Sequence, residues 1–191
     1  TSYGGTFTLE RILGTVPVEE DGSAHFEVPA NRALILVALD QEGKAVKRMQ
    51  SFLSVMPGEE TGCVGCHGNR RTAPESVIAD QLQAMKRKPS RISPVPGIPE
   101  VIDYPRDVQP ILDKHCVGCH EKAESKKEGA PILSREPIER KWYASYRSLV
   151  GGGHAFHNYG DPLRSTPGKV GARASKLYPM LKKGHHDVKL S

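Results

Sequence analysis

The chain has few of the residues that usually build a large core. Only 6% of its 191 residues are aromatic and 37% are hydrophobic, while 15 prolines and 19 glycines predict much irregular structure. No run of about 20 apolar residues occurs, so the sequence predicts no membrane-spanning helix. The length suits one large domain or two small ones.

Cysteine is also scarce, and all four cysteines belong to two copies of one pentapeptide, Cys63-Val-Gly-Cys-His67 and Cys116-Val-Gly-Cys-His120. Cys-x-x-Cys-His is the attachment signature of c-type haem, in which two thiols bond to one porphyrin and the following histidine ligates the iron. The motifs therefore predict two covalently attached haem c groups. Their predicted protein ligands are Cys63, Cys66, Cys116 and Cys119 for the porphyrins, and His67 and His120 for the irons.

Other roles for paired cysteines fit less well. Zinc ribbons place their Cys-x-x-Cys pairs about 15–20 residues apart, and the gap from Cys66 to Cys116 is far longer. A thioredoxin-like redox motif needs a βαβ setting, which the sequence around neither motif indicates. A disulfide framework leaves the histidine after each pair unexplained.

The chain is basic, with a formal net charge of +5. The propionates of two haems would offset most of that charge, so it does not argue for a nucleic-acid partner. Three basic clusters instead suit an acidic redox partner or are simply solvated surface. They are Lys86-Arg87-Lys88, Lys126-Lys127 and Lys182-Lys183.

The predicted fold class is α+β: a small antiparallel β domain followed by a mostly helical, loop-rich domain of cytochrome c type. Residues 1–88 form the β-rich domain with the first haem, 89–100 a proline-rich linker, and 101–191 the helical domain with the second haem. Alternating or continuous apolar residues predict four strands in the first domain. They lie within residues 6–13, 24–28, 33–39 and 45–55, and the third is expected to be a central strand covered on both faces.

Apolar periodicity and prolines at first-turn positions predict the helices. In the helix before the second motif, Val108, Ile111 and Leu112 fall on one face, and Gly184 suits the C-cap of the last helix. The predicted helices are Pro74–Lys88, Asp103–His115, Tyr143–Leu149 and Ala172–Lys183.

With these motifs in view, the chain resembles the middle and C-terminal haem domains of the hydrazine synthase alpha subunit, a module of planctomycete-type multihaem cytochromes. The resemblance implies a β-rich middle domain carrying the first haem and a helical domain whose haem has two histidine ligands. It is carried by Arg11–Ala24, Phe26–Asn31, Cys63–His67, Asp103–His120 and Gly184–Ser191.

The resemblance also implies roles for particular residues. It assigns the distal ligand of the second haem to His185, with His186 as the alternative. The family's first haem has a ligation that involves a tyrosine shortly after the motif. Residues 68–72 contain no tyrosine, which favours ordinary ligation by His67. Partners implied are a redox protein or other subunits of a larger complex.

The sixth ligand of the first haem decides the function, because two strong ligands close an iron to substrates and an open position admits small molecules. The candidates are His157, then His154, then Met56 or Met85, or an open site. The primary prediction is a dihaem electron carrier. The alternatives are a haem-containing part of a redox enzyme acting at a five-coordinate first haem, and an accessory haem module of a larger assembly. Because c-type haem is attached outside the cytoplasm, the expected location is the periplasm or beyond, with any signal peptide already removed.

Overall fold

The computed structural model describes most of the chain, and the described residues combine short helices with two two-stranded antiparallel sheets, an α+β fold. The described residues are 10–49, 51–64, 78–121, 130–138, 142–151, 154–155, 166–186, 188 and 190. The strands are β1 (Val37–Leu39), β2 (Ala45–Arg48), β3 (Pro137–Ile138) and β4 (Trp142–Tyr143). The helices are α1 (Gln109–His115), α2 (Val117–His120), α3 (Ala144–Gly151), α4 (Gly171–Ala174) and α5 (Leu177–Lys183).

The chain divides into two compact units that do not follow sequence order. Unit 1 contains Thr1–Leu34 and Leu53–Ile102, and unit 2 contains Ile35–Phe52 and Asp103–Ser191. The β1–β2 hairpin therefore groups with the C-terminal half of the chain. The predicted domain boundaries, at residues 88 and 100, are not tested by this division and stay predictions.

Unit 1 is built from single backbone bridges between distant segments. Thr15 pairs with Ser93, Phe26 with Ser90, and Leu34 with Leu53. Ser90 and Ser93 belong to the predicted linker. Extended backbone with many prolines forms isolated bridges rather than long strands, because proline has no N–H to donate to a neighbouring strand. The buried apolar side chains described in this unit are Leu34, Val55 and Ala84.

Several predicted elements of this half are shorter than expected. The predicted strand 24–28 is reduced to the bridge at Phe26, and the helix predicted over Pro74–Lys88 consists, where described, of two 3-10 turns, Ala79–Gln81 and Gln83–Lys86. Residues 10–13, the described part of the strand predicted within 6–13, form no strand, and residues 6–9 lie outside the described residues. The local patterns did not fix whether an element forms or how long it is, because that depends on pairing partners far away in sequence.

The β1–β2 hairpin of unit 2 corrects the expectation of a central strand. Val37 pairs with Arg48 and Leu39 with Ala45, but all three β1 residues are exposed, as are Ile35 and Leu36. A continuous apolar run predicts a strand but not what covers it. In the part of the chain that the structure describes, β2 is the strand paired with β1.

The helical prediction before the second motif is confirmed. The Asp103 side chain accepts the Arg106 N–H at 3.0 Å, and the Asp107 side chain accepts the Asp103 N–H at 2.7 Å, a reciprocal cap. A π-turn, Tyr104–Val108, follows and leads into α1. The predicted apolar face is corrected, because Ile111 is 49% exposed whereas Gln109 is fully buried.

The remaining helices also agree with the sequence. Helix α3 occupies the position predicted for Tyr143–Leu149, and α4 and α5 together occupy that predicted for Ala172–Lys183. Helix α5 ends at Gly184, whose φ of +86° is the left-handed region that favours glycine. Within the described residues, no helix has the length and hydropathy needed to cross a bilayer.

Candidate functional site

The second Cys-Val-Gly-Cys-His motif lies where α1 ends and α2 begins. The Cys116 N–H donates to the Leu112 carbonyl at 2.8 Å, and the His120 N–H donates to the Cys116 carbonyl at 3.0 Å. These bonds carry the helical path from α1 into the motif, and residues three apart on a helix lie on the same side. The thiols of Cys116 and Cys119 are both free, the first half-buried and the second exposed. Both thiols can therefore reach one bound group.

The imidazole of His120 has a fixed tautomer. Its Nδ1 lies 2.9 Å from the Pro131 carbonyl oxygen. A carbonyl only accepts hydrogen bonds, so Nδ1 carries the proton and donates, which leaves Nε2 as the ring nitrogen that can bind a metal. Histidines that bind metals almost always donate their other ring N–H in this way, which orients the ring and raises its basicity.

The ring of His185 lies close to that of His120. The two ring centroids are 6.0 Å apart and the ring planes are inclined by 33°. Two imidazoles on opposite sides of one metal ion, each with a metal–nitrogen distance of about 2 Å, have centroids roughly 6 Å apart. The separation thus fits a pair of axial ligands, and these residues fit the haem that the motif implies.

Local backbone geometry places His185 immediately after α5. Gly184 ends the helix, and the Val188 N–H donates to the His185 carbonyl at 3.1 Å, which returns the chain sharply. His186, inside this return, has a φ of +52°. Its ring centroid is 4.4 Å from that of His185. His186 therefore packs on the predicted ligand, and the described ring contact to His120 is made by His185.

The surroundings of His185 favour its neutral form. Burial, the largest cause, and the neighbouring imidazoles of His186 and His120 lower the pKa of His185 below its usual value. Because each cause penalises the imidazolium, the ring is neutral near pH 7 and its lone pair is available.

Two alternative roles of the second motif find no support in its geometry. Among the described residues, which include all of Cys116–His120, no group of three or more His, Cys, Asp or Glu side chains is arranged to hold a metal ion, as a tetrahedral zinc site requires. Haem needs only two axial ligands from the protein. Burial raises the pKa of the Cys116 thiol, whereas reactive redox cysteines have a lowered pKa.

The first motif is described only in part. Cys63 and Val64 are exposed, whereas Cys66, His67 and the candidate ligand His157 lie outside the described residues.

The other candidate sixth ligands of the first haem are described. Met56 and Met85 belong to unit 1 and are 63% and 46% exposed. His154 belongs to unit 2, where its carbonyl accepts the Leu177 N–H at 3.0 Å. The choice among the sequence-predicted sixth ligands stays a prediction.

Sequence reasoning missed the residues that support His120. Pro131 supplies the carbonyl for its Nδ1, and Gln109 and Ser145 are fully buried polar residues in the adjoining helices. One signal was present in the sequence: a glutamine at the start of a helix whose neighbours are apolar. A buried amide needs partners, and those partners come from residues 24 and 36 positions away.

Comparison with known families agrees with the resemblance in the N-terminal part. Residues 4–68 match the family model described as the hydrazine synthase alpha subunit middle domain. The match covers about a third of the chain and includes all of Cys63–His67, so this segment is similar to that domain. Searches among curated proteins and among solved structures found no match.

Proposed function

We propose that the chain is a dihaem c-type cytochrome module that carries electrons outside the cytoplasm. The observation that supports it most is the pairing of His120 with His185 at a centroid separation of 6.0 Å, beside two free thiols at haem-attachment spacing. The Nδ1–Pro131 bond adds support, because it leaves the Nε2 of His120 as the ligating atom.

In this proposal each residue of the second site has a distinct role. Cys116 and Cys119 would hold a haem c through thioether bonds, and His120 and His185 would bind its iron. Haem c supplies a one-electron couple between ferrous and ferric iron. Two strong protein ligands leave no position for a substrate and change little between redox states, which suits electron transfer. Cys63, Cys66 and His67 hold the first haem in the same manner.

A second candidate function is favoured by the family match. The matched segment ends just after the first motif and corresponds to part of an enzyme subunit. The chain is then a haem-containing part of a redox enzyme in a larger complex, with small-molecule chemistry at a five-coordinate first haem. The two candidates differ in the ligation of the first iron and agree on the second.

Spectroscopy of the full chain, made in cells that attach c-type haem, tests the proposal. We expect two haems per chain by mass and low-spin ferric EPR signals from both irons. A protein that carries no covalent haem would refute the proposal. A high-spin signal that responds to cyanide would favour the enzyme over the electron carrier.

The distal ligand of the second haem has a matched pair of variants. His185→Ala should convert one of the two haems to high spin, because it removes the imidazole that faces His120. His186→Ala should leave both signals low-spin. The reverse result would transfer the ligand role to His186.

A further inference from the structure

We infer that Gln109 is a positioning residue for His120: its buried side chain fixes the loop of residues 130–135, whose Pro131 carbonyl accepts the Nδ1–H of His120. The inference rests on the proposed function, because it concerns how the protein tunes the haem at the second motif. Neither the motif nor the family match includes Gln109.

Both the amide nitrogen and the amide oxygen of the buried Gln109 side chain are hydrogen-bonded. Its Nε2 donates to the Leu133 carbonyl at 3.0 Å and to Asp113 Oδ1 at 2.8 Å, and its Oε1 accepts the Ser145 hydroxyl at 2.5 Å. The Leu133 carbonyl only accepts, so the amide nitrogen must face it. Gln109 and Ser145 are both 0% exposed, and a buried polar group without a partner is unfavourable, so these bonds constrain the Gln109 side chain.

Three of the six described hydrogen bonds of the loop are made with Gln109 or with residues bonded to its side chain, and the Ile132 N–H donates outside this set, to the Ser148 hydroxyl at 3.2 Å. Asp113 Oδ2 accepts from Arg135 Nε at 2.6 Å, and the Ser145 N–H donates to the Ser134 carbonyl at 3.2 Å. The loop reaches the motif at two points, since the Leu133 N–H donates to the His120 carbonyl at 2.8 Å and Pro131 faces Nδ1. Gln109 thus connects α1, α3 and the loop that contacts the histidine.

Through this loop, Gln109 should influence the reduction potential of the second haem. A strong hydrogen bond at Nδ1 makes the imidazole a better donor, which stabilises ferric iron and lowers the reduction potential. Without the Gln109 amide, the Leu133 carbonyl loses its buried donor and the loop shifts, which weakens the Pro131 contact. The potential of the second haem should then rise.

The test is Gln109→Met, which keeps the shape of the side chain and removes its polar groups, in the full haem-loaded chain. We expect a higher midpoint potential for the second haem and an altered largest g value in its low-spin EPR signal, with the first haem unchanged. Gln83→Met, the same replacement on an exposed residue of unit 1, should leave both potentials where they are. A purely structural role would lower Tm and leave the potential and g value unchanged, which would overturn the inference.

A second variant keeps the inference testable if Gln109→Met does not fold. Ser145→Ala removes one partner of Gln109 and leaves its bonds to Leu133 and Asp113, so a smaller rise in the same potential is expected. No rise in a folded Ser145→Ala would count against the inference. Haem content and the spectrum of the unaltered protein are measured alongside: absence of haem at Cys116 and Cys119 defeats the proposed function, whereas a bis-histidine haem insensitive to both variants defeats this inference alone.

Discussion

Unit 1 is held together by backbone pairs between segments far apart in sequence, whereas the site of unit 2 is assembled mainly from consecutive helices and one loop. In unit 1, Thr15 meets Ser93 and Phe26 meets Ser90. In unit 2, α1 and α2 follow one another through the motif, and the loop of residues 130–135 contacts His120 through Pro131 and Leu133. A Cys-Val-Gly-Cys-His motif inside a helical path can thus be positioned by local structure, whereas the described bridges of unit 1 depend on residues far apart in sequence.

Two carboxylates, one in each unit, have different kinds of partner. In unit 1, Asp21 accepts the Gln83 N–H at 2.8 Å and the Ser23 hydroxyl at 2.6 Å, both neutral donors. In unit 2, the hairpin residue Asp40 accepts two backbone N–H groups and also pairs with the Arg173 guanidinium. The hairpin is therefore attached to α4 by a contact that depends on charge.

The largest expected effect concerns the core of unit 2. Leu149 of α3 is 6% exposed, and Leu149→Ala should lower the free energy of unfolding of unit 2 by about 3 kcal/mol, because it deletes buried methyl groups and leaves a cavity. Ile111→Ala, at a 49% exposed position in the same unit, should change it by about 0.5 kcal/mol or less. Hydrogen exchange resolved by segment measures both. Equal losses from the two variants would show that burial is not what stabilises unit 2.

A somewhat smaller effect should be confined to unit 1. Gly14 has a φ of +136°, and a Cβ there would lie 2.7 Å from the Ser93 carbonyl carbon and 2.8 Å from Ile92 Cγ2. Gly14→Ala should cost unit 1 ~2 kcal/mol through strain and overlap at the Thr15–Ser93 bridge.

The matched control for Gly14 is Gly22→Ala, which has a positive φ of +81° but nothing within 4 Å of the added carbon. It should cost only ~1 kcal/mol. Exchange rates in the segments of unit 1 measure the difference. Similar rates in both variants would mean that the close approach to Ser93 does not stabilise the unit.

The smallest predicted effect is a dependence of the Asp40 contacts on pH and salt. The Lys44 backbone N–H is the largest cause that holds the pKa of Asp40 below its ordinary value of 3.8. A lowered folded-state pKa means that the contribution of Asp40 is complete above pH 3.8 and is lost as the pH falls through the folded value. The NMR shift of the Lys44 amide proton should report this loss.

Salt distinguishes the two carboxylates in the same experiment. The pair of Asp40 with Arg173 should weaken at high ionic strength, whereas the contacts of Asp21 with neutral donors should not. Arg173→Ala should reduce the salt response of Asp40. If Asp21 and Asp40 respond alike to salt, the contrast between these two carboxylates is wrong.

The sequence allowed accurate prediction where the structure is local. The helix leading to Cys116, the end of α5 at Gly184 and the helix near Tyr143–Leu149 follow from prolines, glycine and apolar periodicity, which act within a few residues. The pairing of His185 with His120 was expected only from a family resemblance, because 65 positions of chain separate the two rings and no local pattern relates them.

The failures have one physical cause. The apolar run Ala33–Leu39 predicted a covered strand, but burial depends on which segment packs against it, and Val37–Leu39 is exposed in the described hairpin. Gln109 was overlooked because polar residues are usually exposed, and its burial becomes favourable only once the Leu133 carbonyl and the Ser145 hydroxyl meet it.

The stacked aromatic pair of unit 2 provides an intrinsic fluorescence probe. Trp142 is the one tryptophan in the sequence, and its ring is stacked on Tyr146 with centroids 5.0 Å apart and planes inclined by 11°. Tryptophan emission therefore reports on unit 2 and never on unit 1. A haem bound nearby would quench that emission by energy transfer, so a single fluorescence trace would follow both haem loading and unfolding of unit 2 without any added dye.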